Sequence, residues 1–244
     1  MSTSITKPPR PAVIYPDSDG EPMADNTLQF EWIVTIKENL EVLFLDRPDV
    51  FVAGDLLWYP VEGDPKTRTA PDALVAVGRP KGYRGSYKQW EEGGIAPQVV
   101  FEVWSPGNRA SRMIRKLKFY ERYGVEEYYI YDPDDNELTG CRRIGDELVE
   151  IAEMNGWTSP RLGIRFDSSG SELHIYGPDG RAFLTFAELE QQRKALAQER
   201  DQVAQERDQV AQERDQVAQE LQAERERAER LAAQLRSLGV EPQS

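Results

Sequence analysis

A seven-residue unit, QERDQVA, stands three times without change between Gln198 and Ala218, and no other stretch limits the chain's conformation so tightly. An unvaried heptad returns the same residue to the same side of a helix, so the C-terminal part predicts one long helix with a seam. In one register Leu189, Leu196, Val203, Val210, Val217, Leu231 and Leu238 take position d. Position a then holds Phe186, Arg193, Arg200, Arg207, Arg214, Leu221, Ala228 and Leu235. Successive arginines at a would confront one another in a parallel pair. Three arrangements follow: weak pairing through the leucine-rich end, antiparallel pairing with each a facing a d, or a solvated helix without a partner. At about 1.5 Å per residue, 53 positions span roughly 80 Å.

The repeat also divides the chain. From about Phe183 the sequence is almost all Ala, Gln, Glu, Arg, Asp and Val, with no aromatic residue after Phe186 and no proline before Pro242. Residues 25–185 carry the composition of a globular domain, and residues 186–238 that of a helical heptad-repeat tail, a candidate coiled coil. Residues 1–24, with KPPRP and YPDSDG, predict an extended or disordered arm, and 239–244 a disordered end. One cysteine, Cys141, excludes an internal disulfide framework and a thiolate zinc site. One histidine, His174, excludes mechanisms built on paired histidines and reads as structural. The N-terminus has no signal-type apolar core and no apolar run is long enough to span a bilayer, so a cytoplasmic protein with no membrane partner is expected.

A net charge of −13 argues against a protein that coats nucleic acid. Positive charge is nevertheless clustered. Arg109, Arg112, Arg115, Lys116, Lys118 and Arg122 fall within one predicted helix, and Arg79, Lys81, Arg84 and Lys88 within one loop. Arg109, Arg112, Arg115, Lys118, Lys81 and Arg84 are the candidate nucleic-acid-binding residues.

Hydrophobic spacing from Phe30 to Phe44 predicts an amphipathic first helix, capped by Asp25 or Asn26 and stopped at Arg47-Pro48. VFVAGDLLWYP reads as a strand, with Gly54 as a bulge and Asp55 in its middle. Strands follow at Ala70–Gly78 and Gln98–Trp104, separated by a long loop from Arg79 to Pro97. A Ser105-Pro106-Gly107-Asn108 turn then leads to a helix from about Arg109 to Tyr123, ended by Gly124. EEYYIYDP is a further strand, reached from Gln98–Trp104 by a right-handed crossover that makes Phe101 and Tyr129 neighbours. ELTGCRRIG, ELVEIA, RLGIRF and ELHIY read as an antiparallel extension, with a turn at Asp179-Gly180. The fold class is α/β, a mixed sheet flanked by helices.

Two acids interrupt this apolar pattern: Asp72 in APDALVAVG and Glu102 in QVVFEVWSP. Ionised carboxylates beside packed strands lose hydration and repel each other unless positive charge lies between them. A divalent cation, Mg²⁺ or Mn²⁺, supplies it, with the Val103 carbonyl as a further oxygen ligand. Lys116, on the following helix, can fold back towards the same place. Two acids, a cation and an ammonium are the parts needed for phosphodiester hydrolysis.

At PD, EVWSP and KLKFYERYGVEEYYIYDP the chain resembles the Uma-two-type restriction endonuclease family of the PD-(D/E)XK nuclease superfamily. The resemblance spans roughly Tyr15 to Phe186. It implies a restriction-endonuclease-like core, Mg²⁺ dependence and DNA as substrate, with Asp72 and Glu102 as metal acids. The superfamily lysine normally follows the glutamate by two residues, where this chain has Trp104. Its place is taken by K-x-x-x-Y on the helix, Lys116 and Tyr120. Asn26 stands where relatives carry histidine, and Arg112 where an acid precedes the lysine, while Glu38 or Glu41 on the first helix are supporting candidates. The leading expectation is a Mg²⁺-dependent DNA endonuclease. Its alternatives are an RNA-directed or repair-type nuclease and an inactive nuclease-fold scaffold acting through the tail, which is also the candidate site of homo-oligomer formation.

Overall fold

Asn26 fixes where the first helix begins, because its extended backbone leaves the side-chain oxygen free to accept the Gln29 amide at 2.8 Å. Helix α1 (Thr27–Leu43) buries Ile33, Ile36 and Leu40 along one stripe. The computed structural model describes residues 13–105 and 110–237. The chain divides into two compact units, Met1–Thr185 and Phe186–Ser244.

The first unit is built on a six-stranded mixed sheet. Its spatial order is β1 (Val50–Gly54), β3 (Ala73–Val77), β5 (Val99–Val103), β6 (Glu127–Asp132), β7 (Glu137–Ile144) and β8 (Glu147–Glu150). Only β5 and β6 run parallel, with Phe101 opposite Tyr129 as the sequence spacing anticipates. Helix α2 (Ala110–Tyr123) makes the crossover between them and ends at Gly124, whose φ of +99° suits a residue without a Cβ.

Period-two alternation gives the sheet two cores. Val50, Val52, Ala73, Val75, Val99, Phe101 and Val103 point to the α1 side, where Tyr129, Ile164 and Phe166 join them. Phe51, Ala53, Leu74, Ala76 and Val100 point to the α2 side and pack with Met113, Tyr120 and Tyr128. Asp72 and Glu102 belong by the same alternation to the α2 side.

Three expectations are corrected. VFVAGDLLWYP is two strands: β1 ends at Gly54, the chain turns at Asp55 with φ +48°, and β2 (Trp58–Tyr59) pairs parallel with β4 (Tyr87–Lys88). That pairing also gives structure to the segment from Arg79 to Pro97, read from sequence as loop. Gly54 is no bulge, since pairing with β3 runs unbroken from Val50↔Val77 to Gly54↔Ala73. Its missing side chain serves close approach instead: a Cβ there would lie 3.3 Å from both the Asp72 carbonyl oxygen and the Lys37 side chain. Finally, β9 (Arg165–Asp167) and β10 (His174–Tyr176) form a separate hairpin. Phe166 and Ile175 face the α1-side core, so this pair covers the sheet and does not lengthen it.

Residues 13–24 have no regular structure but are tied down. The Tyr15 ring packs on Tyr59 and Trp90, and Tyr59 Oη donates to the Pro16 carbonyl at 2.7 Å. Residues Pro106 to Asn108 of the expected turn lie outside the described residues, as do Arg109 and Leu238.

The second unit is α3 (Phe186–Ser237), 52 residues of helix with no buried residue. Among the described residues no helix is long and apolar enough to cross a membrane.

Candidate functional site

The register of the sheet brings the acids together. Continued one step past Ala73↔Phe101, the β3–β5 pairing sets Asp72 opposite Glu102. Just past the end of β1, where the chain turns, the Asp55 amide donates to the Pro71 and Asp72 carbonyls at 3.1 and 3.4 Å. Residues directly opposed in antiparallel strands share a face, so Asp72 and Glu102 do, and Asp55 joins them in a row of three acids where β1 ends, β3 begins and β5 approaches its end. The row opens on a cavity of about 420 Å³. Asp19, Glu21, Asp25, Gln29, Lys66, Arg68, Arg112 and Lys116 also line it.

Glu102 is 4% exposed and its charge is answered on both oxygens. Lys116 Nζ donates to Oε2 at 2.6 Å, and the Tyr120 hydroxyl donates to Oε1. Lys116 and Tyr120 lie one turn apart on α2, on the face that also buries Met113. The lysine reaches the Ala70 carbonyl as well, at 3.3 Å. Asp72 accepts the Val103 amide on Oδ2 at 2.6 Å.

The first turn of α1 is laced to the same strand end. Gln29 Nε2 donates to the Val103 carbonyl at 2.8 Å, its Oε1 accepts the Asp25 amide at 2.7 Å, and Ser105 Oγ donates to Asp25 at 2.6 Å. Gln29 is buried, and a buried amide with both ends engaged holds its neighbours in place.

These contacts set the electrostatics. Burial, and then the Glu102 charge, push the Asp72 carboxyl well above the ordinary carboxylate range. Burial also lifts Asp55, with the Asp19 charge next in effect. For Lys116 burial works downwards, but the charges of Glu102 and Asp72 and the hydrogen bond to Glu102 outweigh it, so the ammonium holds its proton beyond the usual lysine range. Tyr120, buried and beside Glu102, is raised well above the ordinary phenol.

The sequence-derived residues separate into three groups. Asp72, Glu102, Lys116 and Tyr120 meet, with the Val103 peptide bridging Gln29 and Asp72, and Arg112 lines the same cavity. Glu38 and Glu41 do not line it. They flank Lys37, which pairs with both, because the body of α1 covers the opposite face of the sheet. Arg115, Lys118 and Lys81 are exposed and outside the cavity lining. Arg84 is committed elsewhere: its Nε donates to Glu92 at 2.6 Å, and its guanidinium lies 3.9 Å over the Phe51 ring. Sequence reasoning passed over Asp55, Lys66 and Arg68. Lys66 and Arg68 are positioned by a turn in which Asp64 accepts from the Lys66 amide at 3.0 Å and Arg68 donates to the Pro65 carbonyl at 3.2 Å. The only sequence signal for it was the Asp-Pro pair.

Two carboxylates on one face, one of them with its charge disfavoured by the other, are the hard oxygen donors that Mg²⁺ or Mn²⁺ takes. Among the described residues no three of His, Cys, Asp and Glu are grouped to hold a metal unaided. An ion here would complete its shell with water or with a main-chain oxygen such as that of Val103, whose carbonyl keeps a second lone pair beside its bond to Gln29.

Residues 18–169 match the family model described as "Uma2: Putative restriction endonuclease". A matching solved structure is described as "a putative nuclease belonging to DUF820" from Anabaena variabilis. It is 15% identical, with 55% of this chain and 72% of that chain covered and a TM-score of 0.42. No curated protein matches.

Proposed function

The chain belongs to the Uma2 family, and from that premise we propose that it is a divalent-metal-dependent endonuclease that hydrolyses phosphodiester bonds in DNA. One observation carries the reading: Asp72 and Glu102 stand opposite each other on the face that α2 covers, with the Lys116 ammonium 2.6 Å from Glu102, at the wall of an open cavity.

Asp72 and Glu102 would hold the ion, with the Val103 carbonyl as a third oxygen. A bound Mg²⁺ supplies neutralisation of phosphate charge and a hydroxide-like water at neutral pH. The remaining roles belong to the chain itself. Tyr120 keeps its proton at neutral pH and fixes the rotamer of Glu102 by donating to it. Lys116 keeps its proton too, which excludes it as a general base and makes it a fixed positive charge for an oxyanion developing in the cavity. Arg112, Lys66 and Arg68 give the cavity wall cationic groups able to receive a phosphodiester backbone. Gln29, through the Val103 peptide, sets where Asp72 stands.

The test is relaxation and linearisation of supercoiled plasmid by the full chain with Mg²⁺, with Mn²⁺ and with chelator, alongside the Asp72→Ala, Glu102→Ala double variant. Wild type is expected to cut at least a hundredfold faster than the variant, and only with metal. Equal rates in every metal would overturn the enzyme reading and leave the inactive scaffold. Cutting of structured RNA but not of plasmid would move the substrate from DNA to RNA.

A further inference from the structure

The arm from Tyr15 to Asp25 is fastened at both ends, and the part between the fastenings runs along the cavity. At one end the Tyr15 ring packs on Tyr59 and Trp90, and the Asp17 carboxylate fills the space that a Cβ on Gly85 would need. At the other, the Asp25 carboxylate accepts Ser105 Oγ and the Asp25 amide donates to Gln29. Asp19, Glu21, Pro22, Met23, Ala24 and Asp25 all line the cavity.

The span between the anchors is lightly held. Among the described residues, 18–23 hydrogen-bond only to one another: the Gly20 amide to Ser18 Oγ at 3.1 Å and the Glu21 amide to Asp19 Oδ1 at 3.0 Å. All six residues are exposed, and at Gly20, with φ +87°, a Cβ would meet nothing within 4 Å. A segment with so few contacts opens at small cost while its ends stay in place.

Charge gives this strap a role. A phosphodiester backbone is drawn by cations and repelled by carboxylates. Six carboxylates line the cavity against four cations, Lys66, Arg68, Arg112 and Lys116. A bound divalent ion therefore brings the wall only to neutrality. Without Asp19 and Glu21 the same ion leaves two positive charges in surplus, enough to attract the substrate. Nor do these two acids serve as metal holders, since among the described residues neither belongs to a group of three able to grip an ion.

We propose that residues 18–23 form an autoinhibitory strap, in which Asp19 and Glu21 stand in the approach to the cavity and repel DNA until the strap lifts. The inference rests on the nuclease reading for what the cavity receives, and adds how entry is restrained.

The full chain and an Asp19→Asn, Glu21→Gln double variant are compared first for binding of a fluorescein-labelled DNA duplex by anisotropy, with chelator present so that nothing is cut. The variant is expected to bind about fivefold tighter or more, the gap closing as salt rises. With Mg²⁺ its KM for plasmid should fall by a similar factor while kcat stays within about twofold of wild type. An Asp134→Asn, Asp135→Asn variant removes the same charge from exposed positions outside the cavity lining and should match wild type. Equal affinity of strap variant and wild type overturns the inference, and so does equal tightening in the control. A strap variant that needs more Mg²⁺ also overturns it, because its acids would then be serving the ion. A strap variant that binds more tightly but never cuts removes the nuclease reading alone, whereas cutting by both chains at one KM removes the strap alone.

Discussion

Glu102 and Glu127 are both glutamates of the same sheet, on the adjacent strands β5 and β6, 4% and 3% exposed. Their surroundings differ in kind. Glu127 is enclosed by neutral donors: the Tyr129 hydroxyl at 3.0 Å, the Ser159 hydroxyl and the Arg161 amide at 2.9 Å. It pins the loop before β9 to the sheet. Glu102 faces a second acid across the strands, takes an ammonium and a phenol, and borders a cavity. Burial of a carboxylate therefore does not distinguish structure from chemistry. What distinguishes them is whether the carboxylate is sealed among neutral donors or is coupled to other charges around an open space that a cation and a substrate can enter.

The largest expected effect tests that contrast directly. Glu102→Ala should lower metal-dependent plasmid cutting at least a hundredfold in a chain that still folds. Glu127→Ala should leave the rate per folded molecule unchanged while lowering unfolding free energy by about 3 kcal/mol or more, since three donors lose their acceptor. Loss of cutting by a folded Glu127→Ala protein would break the comparison. Next in size is Lys116→Met, which leaves the buried Glu102 without its ammonium. It should cost about 3 kcal/mol in denaturant unfolding, a penalty that added Mg²⁺ partly restores. A matched pair of hydroxyl deletions sharpens the point: Tyr120→Phe and Tyr129→Phe should each cost about 1–2 kcal/mol by chemical denaturation. Only Tyr120→Phe should change the Mg²⁺ concentration needed for half-maximal cutting.

The smallest effect lies in the pH dependence of stability. Asp72 has a folded pKa above its ordinary value of 3.8. The stability associated with its proton is therefore complete below that pH and is lost as pH rises through the folded value. Asp72→Asn cannot ionise and escapes the loss. Without metal it should melt a few degrees above wild type at pH 7 and level with it near pH 3. Mg²⁺ should raise the melting temperature of wild type and leave the variant unmoved.

Much of this arrangement was legible in the residues. Glu102 stood out because four apolar neighbours make VVFEV a strand in which a carboxylate needs a reason, and Lys116 and Tyr120 keep the spacing of one helix face. The order of β3, β5, α2 and β6 followed from strand-length apolar runs and the Gly124 stop. Glu38 and Glu41 went astray because helical periodicity shows which stripe of α1 is buried but not which face of the sheet receives it. Asp55 was hidden by its own backbone: a non-glycine residue at positive φ ends a strand without leaving a turn signature. Lys66 and Arg68 reach the cavity from a loop, where no periodicity exists to read.

The pairing of Lys116 with Glu102 has a consequence for anyone who labels this protein. An amine that keeps its proton is a poor nucleophile, and this one is also partly covered. Acylating reagents that decorate exposed amines such as Lys81, Lys118 and Lys194 should pass it by, so sudden modification of Lys116 would report that its carboxylate has been drawn away.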